Sequence, residues 1–247
     1  MINVSDRTII SFMINASANG IYAVSAKFSN ILASIYQIFN MSWQESASIH
    51  INSEGKEEFF SGVLNNTYKI FFSICLLLMV GMPFVFNILI GKDYFDAKQY
   101  IPILLLSNVF SAVANVLGGI YIAKKDTKNV AKTTITSSIL NIVINIVLIK
   151  FIGLYAAALS TLISCIFLYI YRLIGVKKYI KLNVEYNFII ISMIIYIISV
   201  SIYYINDFKL NIINLIMCVI LVYIFNLNII KKGVNKILKR RKKWKEY

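Results

Sequence analysis

The feature that most constrains this chain is a series of seven long segments that are mostly apolar. A helix needs about 20 such residues to cross the ~30 Å hydrocarbon core of a bilayer. Hydrophobic residues make up 59% of the chain and charged residues 15%, whereas soluble domains have about 25% charged residues. The pattern predicts an all-α fold, a polytopic membrane helix bundle of about seven transmembrane helices. The predicted spans are roughly 18–50, 66–90, 100–123, 130–150, 153–174, 186–206 and 210–231.

The first of these segments is the most polar, and the loop charges decide its assignment. Basic residues in short loops mark the cytoplasmic side of a membrane protein. Loops rich in basic residues alternate with loops poor in them, as a multi-pass protein requires, only if segment 18–50 crosses the membrane. We therefore predict an external N-terminus and a cytoplasmic C-terminus. The predicted cytoplasmic charges are Lys56, Lys69, Lys124, Lys125, Lys128, Lys132, Arg172, Lys177, Lys178, Lys181 and those of the tail from Lys231 to Lys245.

These observations divide the chain into four predicted parts. They are an external N-terminal segment, 1–17; a five-helix unit, 18–174; two trailing transmembrane helices, 175–231; and a basic cytoplasmic tail, 232–247. The tail is typical of a topology determinant, with binding to anionic lipid as the alternative. The net charge of +14 lies in loops and tail, so we expect the lipid bilayer as a partner and no nucleic acid.

One face of the first predicted helix is polar from end to end. Because a helix turns about 100° per residue, its polar side chains fall within one arc. An unpaired charge in mid-bilayer costs at least ~2.5–3.5 kcal/mol, so we expect this face to line a water-filled lumen. Lys27 would attract an anionic group there. The alternatives are hydrogen bonding between helices, or an interfacial helix whose charges extend to the surface. The candidate substrate-lumen residues are Asn19, Lys27, Asn30, Ser34, Gln37, Gln44 and Glu45.

Residues for catalysis or metal binding are not apparent in the sequence. There is no nucleophile–base pair, no metal-spaced set and no phosphate-binding glycine loop, so we expect no enzymatic activity, cofactor or metal. Asn141 and Asn145, one helical turn apart, predict either a packing contact or a lumen position. Gly118 and Gly119 are typical of close helix–helix contacts.

Several short motifs resemble those of bacterial polysaccharide flippases. These are the O-antigen and capsule repeat-unit exporters of the superfamily that also contains the multidrug and toxic-compound extruders. The resemblance covers most of the chain and places its helices in the C-terminal half of such a transporter. The motifs are VSDR (4–7) and ANGIYAV (18–24) followed by Lys27, WQESA (43–47), GGIYIAKK (118–125) and GLYAAALSTLIS (153–164).

This resemblance implies the C-terminal lobe of a fourteen-helix transporter, a fold like that of the multidrug extruders but without the N-terminal lobe. Its substrate would be an undecaprenyl-diphosphate-linked oligosaccharide, carried across the bacterial plasma membrane by alternating access. Because alternating access moves one repeat against the other, the implied partner is the missing N-terminal half or a second chain. The alternatives are a drug/cation antiporter of the same superfamily, a membrane-embedded glycan polymerase or ligase, and a non-functional fragment.

Overall fold

The computed structural model describes residues 2–245. It also describes their side chains, except at positions 2–4, 87, 92, 228, 230 and 232–245. Eight α-helices and one 3-10 helix make up this part of the chain. The α-helices are α1 (Ile2–Met13), α2 (Ala16–His50), α3 (Lys56–Leu89), α4 (Ile101–Ala123), α5 (Thr127–Ile152), α6 (Leu154–Val176), α7 (Tyr186–Ile205) and α8 (Phe208–Lys245), and the 3-10 helix, Lys92–Tyr100, precedes α4.

Six helical stretches in the described range are long and apolar enough to cross a membrane. The predicted all-α, multi-pass membrane bundle is therefore confirmed. Helix α2 has 35 residues, ample length for a span, but its polar face keeps it out of this set. Its membrane crossing stays a prediction. The six stretches are Lys56–Phe86, Asp93–Ala123, Thr127–Ile152, Leu154–Val176, Tyr186–Ile205 and Phe208–Leu227.

Short polar side chains and backbone turns set the ends of the helices. Asn15 caps α2 by accepting a hydrogen bond from the backbone of Ala18 at 2.8 Å, which satisfies one of the free N–H groups of the first turn. Gly153 separates α5 from α6 with a φ of 55°, a conformation that costs glycine little. Asn206 ends α7 in the same left-handed region, with a φ of 57°. The chain therefore reverses within one or two residues at both places.

Helix α4 is the centre of the bundle and packs against α2, α3, α5 and α6. Its glycines allow close approach, because a Cβ at Gly119 would lie 2.3 Å from the indole nitrogen of Trp43. The same indole N–H donates to the backbone oxygen of Val116 at 3.1 Å. The small residues of α4 therefore form a helix–helix contact, as the sequence predicts.

The two trailing helices, α7 and α8, pack mainly against α3. Ser192 of α7 shares a 2.8 Å hydrogen bond with the hydroxyl of Tyr68. The amide of Asn226 in α8 donates to Ser73 Oγ at 2.7 Å. Since both partners lie on α3, that helix connects the trailing pair to the central helices.

A polar cluster joins the turn between α4 and α5 to the segment after α6. Asp126 accepts hydrogen bonds from the hydroxyl of Tyr179, from Asn129 Nδ2 at 2.6 Å and from Lys178 Nζ at 3.1 Å. The Tyr179 hydroxyl, the Asn129 amide and the Lys178 ammonium group lower the pKa of the Asp126 carboxyl well below its usual range. This loop contact therefore depends on an ionised Asp126.

Residues 1–17, which the sequence predicts to be an external N-terminal segment, contain helix α1. It packs against α2 and α5, and its Asp6 side chain is completely buried. The predicted basic tail, 232–247, lies beyond the side chains that the structure describes, so its role stays a prediction.

Candidate functional site

A polar cavity of about 360 Å³ lies between α2, α4, α5 and α6. Hydroxyl and amide side chains from all four helices contribute to its wall, and Arg172 is the charged residue among those lining it. A polar cavity of this size within a membrane bundle can hold water or a hydrophilic ligand. The polar lining residues are Ser29, Asn30, Gln37, Ser107, Asn108, Ser111, Asn115, Thr134, Ser138 and Thr161.

Of the predicted lumen residues, Asn30 and Gln37 line this cavity. Lys27, Ser34 and Glu45 lie on the exposed surface of α2. The lumen assignment of these residues as a set stays a prediction.

The remaining two predicted lumen residues also lie away from the cavity wall. Gln44 is half-buried on α2. Asn19 is bound to the N-terminal helix, since it accepts from Arg7 Nε at 3.2 Å and donates to Ser11 Oγ at 2.8 Å.

Asp6 is a buried carboxylate held by residues of three other helices. Its Oδ2 accepts from Thr161 Oγ1 at 2.6 Å and from the Tyr22 hydroxyl at 3.0 Å, and its Oδ1 accepts from Asn145 Nδ2 at 2.9 Å. With the amide of Asn141 turned so that its nitrogen faces the carboxylate, Asn141 also donates to Oδ1 at 3.1 Å. These contacts bring α1, α2, α5 and α6 together at one point.

All the hydrogen-bond partners that the described side chains offer to Asp6 are neutral. The two ion pairs found among the described residues, Lys69–Glu185 and Lys178–Asp126, lie elsewhere. A buried carboxylate without a counter-charge is costly unless it takes up a proton or a cation. The buried Oδ1 of Asn145 has no hydrogen-bond partner among the residues that the structure describes and adds a free oxygen beside the carboxylate. A single carboxylate with neutral oxygens suits one positive charge, a proton or a monovalent cation.

Arg172 is the second buried charge of the site. It is 3% exposed and donates to Thr133 Oγ1 at 3.1 Å and to Thr134 Oγ1 at 2.9 Å. It also donates to the backbone oxygen of Ala114 at 2.9 Å and to Asn115 Oδ1 at 3.0 Å. The prediction counts Arg172 with the loop charges of the cytoplasmic side, although the residue falls inside the predicted span 153–174. The structure places it within α6, which ends at Val176, with its side chain buried in the bundle.

The cavity connects the surroundings of the two buried charges along α6. Thr161, which donates to Asp6, also lines the cavity, and so do Cys165, Leu168 and Arg172. These positions are three or four residues apart, so they share one face of the helix. The face of α6 that lines the cavity therefore contacts Asp6 through Thr161 and carries the guanidinium group of Arg172 near the end of the helix.

Sequence reasoning missed both charges for different reasons. Asp6 precedes the first apolar segment, so hydropathy predicts it among the external loop residues. The paired Asn141 and Asn145 were the available signal, since two amides one turn apart in an apolar span need a polar partner. Arg172 falls inside the predicted span 153–174, but it lies close to Lys177 and Lys178, and counting it with those loop charges leaves out its position inside the helix.

No protein-family model matches this chain, and no curated protein matches it either. Among solved structures, the chain is similar to the lipid II flippase MurJ in its inward closed conformation, with a TM-score of 0.65 and 23% sequence identity. The similarity covers 93% of this chain and 52% of that one. This chain therefore has a MurJ-like polytopic helical fold and spans about half the length of that structure.

Proposed function

We propose that this chain is the C-terminal lobe of a flippase that moves undecaprenyl-diphosphate-linked oligosaccharide repeat units across the bacterial plasma membrane. The observation that supports it best is the polar cavity between α2, α4, α5 and α6, in a fold similar to that of a lipid II flippase. A hydrophilic head group needs such a polar path to pass a bilayer. In this proposal the N-terminus lies outside and the C-terminus in the cytoplasm.

The proposed transporter needs a second lobe. The chain corresponds to 52% of the flippase that it resembles, and alternating access requires two repeats that move against each other around a central site. In this proposal the exposed polar face of α2, with Lys27, Ser34 and Glu45, borders the path shared with the second lobe. Asn30 and Gln37, which line the cavity, extend that path into the bundle.

Asp6 is the proposed coupling residue. A proton or a monovalent cation on its carboxylate would neutralise the charge that joins α1, α2, α5 and α6. Its release would leave a buried charge and so favour a rearrangement of these helices. The ion gradient would thereby bias which conformation the lobe adopts.

The test is transport of a fluorescent lipid-linked oligosaccharide in proteoliposomes that contain both lobes. Asp6→Asn keeps the shape and most hydrogen bonds of the side chain but removes its charge, so we expect transport to continue without its dependence on the ion gradient. Asp93→Asn removes the same charge at an exposed position and should leave that dependence unchanged. Absence of lipid-linked oligosaccharide transport with both lobes present would contradict the proposed function.

A drug/cation antiporter of the same superfamily is the second candidate, and the buried Asp6 favours it. Such transporters use acidic residues within the membrane for cation or proton coupling. Export of cationic dyes distinguishes the two candidates. An antiporter would lower the dye content of cells and leave lipid-linked oligosaccharide in its original leaflet. The proposed flippase would move the lipid-linked oligosaccharide to the other leaflet and leave the dye content unchanged.

A further inference from the structure

We infer that the cavity contains a binding site for a phosphate-type anion, with Arg172 as its charged group. The inference rests on the contacts of Arg172 and on the shape and lining of the cavity. Identifying the anion with the diphosphate of a lipid-linked substrate also rests on the proposed function. A free phosphate or diphosphate has the same chemistry and is the other source.

The charge of Arg172 has no counter-charge among the residues that the structure describes. All of its hydrogen-bond partners, in α4 and α5, are neutral oxygens, and both ion pairs in this part of the chain lie elsewhere. A guanidinium group that is 3% exposed has lost nearly all of its hydration. Its burial is costly unless an anion balances it, so an anion in the adjoining cavity would be strongly favoured.

The guanidinium group retains a donor for such an anion. It has five N–H groups, and four hydrogen bonds are formed with the described residues. Two of its partners, Asn115 and Thr134, line the cavity themselves. An anion placed there would therefore contact Arg172 together with the amide group of Asn115, whereas the Thr134 hydroxyl already donates to the backbone oxygen of Val130 at 2.8 Å.

The rest of the cavity suits a hydrated anion better than an apolar ligand. The buried hydroxyl of Ser138 has no hydrogen-bond partner in the described part of the chain, and Ser138 lines the cavity. The cavity volume of about 360 Å³ falls within the range of about 300–1,000 Å³ that is usual for ligand pockets. Lys27, the lysine that the sequence assigns to an anionic group, does not line this cavity.

Cys165 provides an internal probe of the site. It lines the same cavity and is 5% exposed, while Cys75 and Cys218 are buried away from it. The purified full chain in lipid nanodiscs is treated with a small thiol reagent, and alkylation of each cysteine is followed by mass spectrometry. The added probes are inorganic pyrophosphate, a short prenyl diphosphate, the matching prenyl alcohol and chloride at equal ionic strength.

We expect a diphosphate to slow the alkylation of Cys165 in a saturable way while chloride does not. Protection by pyrophosphate identifies a site for free phosphate-type anions. Protection by the prenyl diphosphate alone identifies a site for a lipid head group. Both results support the inference. Equal protection of Cys165 by the prenyl alcohol, or no protection by either diphosphate, overturns the inference. The wild-type chain alone is enough for this test.

Variants of Arg172 test whether its charge binds the diphosphate. Arg172→Gln is expected to weaken diphosphate binding about 10- to 150-fold, the loss associated with one charge-assisted hydrogen-bond partner. Arg172→Lys retains the charge and should bind more tightly than Arg172→Gln. Lys177→Gln removes the same charge from an exposed position just after α6 and should bind as the wild type does. Unchanged binding in a folded Arg172→Gln chain overturns the role of Arg172.

The transport assay with both lobes separates this inference from the proposed function. Diphosphate protection of Cys165 without oligosaccharide transport would leave the anion site standing and contradict the flippase. Transport without diphosphate protection, and unaffected by Arg172→Gln, would leave the flippase standing and contradict the anion site.

Discussion

Single residues have their largest structural effect where α2 and α6 approach α4. A Cβ at Gly119 would lie 2.3 Å from Trp43 Nε1, and the buried indole cannot withdraw without losing its hydrogen bond to Val116. We therefore expect Gly119→Ala to destabilise the chain by about 1–3 kcal/mol, as overpacking does. Unfolding in detergent micelles measures the loss.

Gly62→Ala is the matched control for this substitution. Apart from the backbone of its own helix, no described atom lies within 4 Å of the added Cβ at Gly62, and alanine favours a helix by about 0.8–1 kcal/mol over glycine. The control should therefore be as stable as the wild type or more so. Equal stability of the Gly119→Ala and Gly62→Ala chains would contradict the close contact between Trp43 and α4.

The Asp126 cluster gives a prediction for the dependence of stability on pH. Because the folded pKa of Asp126 lies below the ordinary value of 3.8, the ionised form stabilises the fold above that value. This stabilisation is lost as the pH falls toward the folded pKa. Asp126→Asn should lower the unfolding temperature near neutral pH, and the difference from wild type should shrink below about pH 4.

Asp93→Asn provides the comparison for this pH series, since Asp93 is exposed. It removes one carboxylate without removing a contact between the α4–α5 turn and the segment after α6. A difference between wild type and Asp126→Asn that grew on acidification would contradict the predicted sign.

At the scale of the element, the membrane crossing of α2 has a direct test. Ser17 and Ser48 are exposed near its two ends, and a helix of this length places them about 46 Å apart along its axis. In intact cells, an impermeant maleimide should label Ser17→Cys from outside, whereas Ser48→Cys should react only in inside-out vesicles. The native cysteines are buried and should contribute little labelling.

Two loop positions calibrate the α2 labelling experiment. Asn206→Cys, between α7 and α8, is expected on the external side with Ser17→Cys. Lys125→Cys, between α4 and α5, is expected on the cytoplasmic side with Ser48→Cys. Labelling of both α2 positions from one side would mean that α2 lies along the membrane surface.

Most helices could be predicted from the sequence because their apolar lengths match a bilayer. The predicted span 186–206 and the observed helix Tyr186–Ile205 nearly coincide. Helix α1 was not predicted, since its 12 residues are too few for a span. The Asp6 site was also beyond sequence reasoning, because it joins Asp6 to Tyr22, Asn145 and Thr161 across separations of 16, 139 and 155 residues.

At the scale of the whole molecule, the proposal predicts that this lobe depends on another. The described surface of α2 exposes large apolar side chains next to its polar stripe, including Ile38 at 76% and Met41 at 78%. In cells that lack their own flippase, this chain alone should not restore glycan export. Co-production with a lobe of the complementary repeat should restore it, because alternating access needs both.

Surface glycan detected on intact cells is the measurement, with the amount of this chain in the membrane as its control. Co-production of the Asp6→Asn chain at the same level should restore less export under an ion gradient. Full export by this chain alone would contradict the proposed dependence on a second lobe.

Helix α6 also fixes the distance and the relative direction of two residues of the site. Thr161 and Arg172 are eleven positions apart, which places them about 16 Å apart along the axis and within about 20° in direction. One residue inserted between them would turn Arg172 about 100° away from the cavity and leave the hydrogen bond between Thr161 and Asp6 intact. The spacing along α6 is therefore as much a part of the site as the residues themselves, and a change of length would separate the proposed cation coupling from the proposed anion binding.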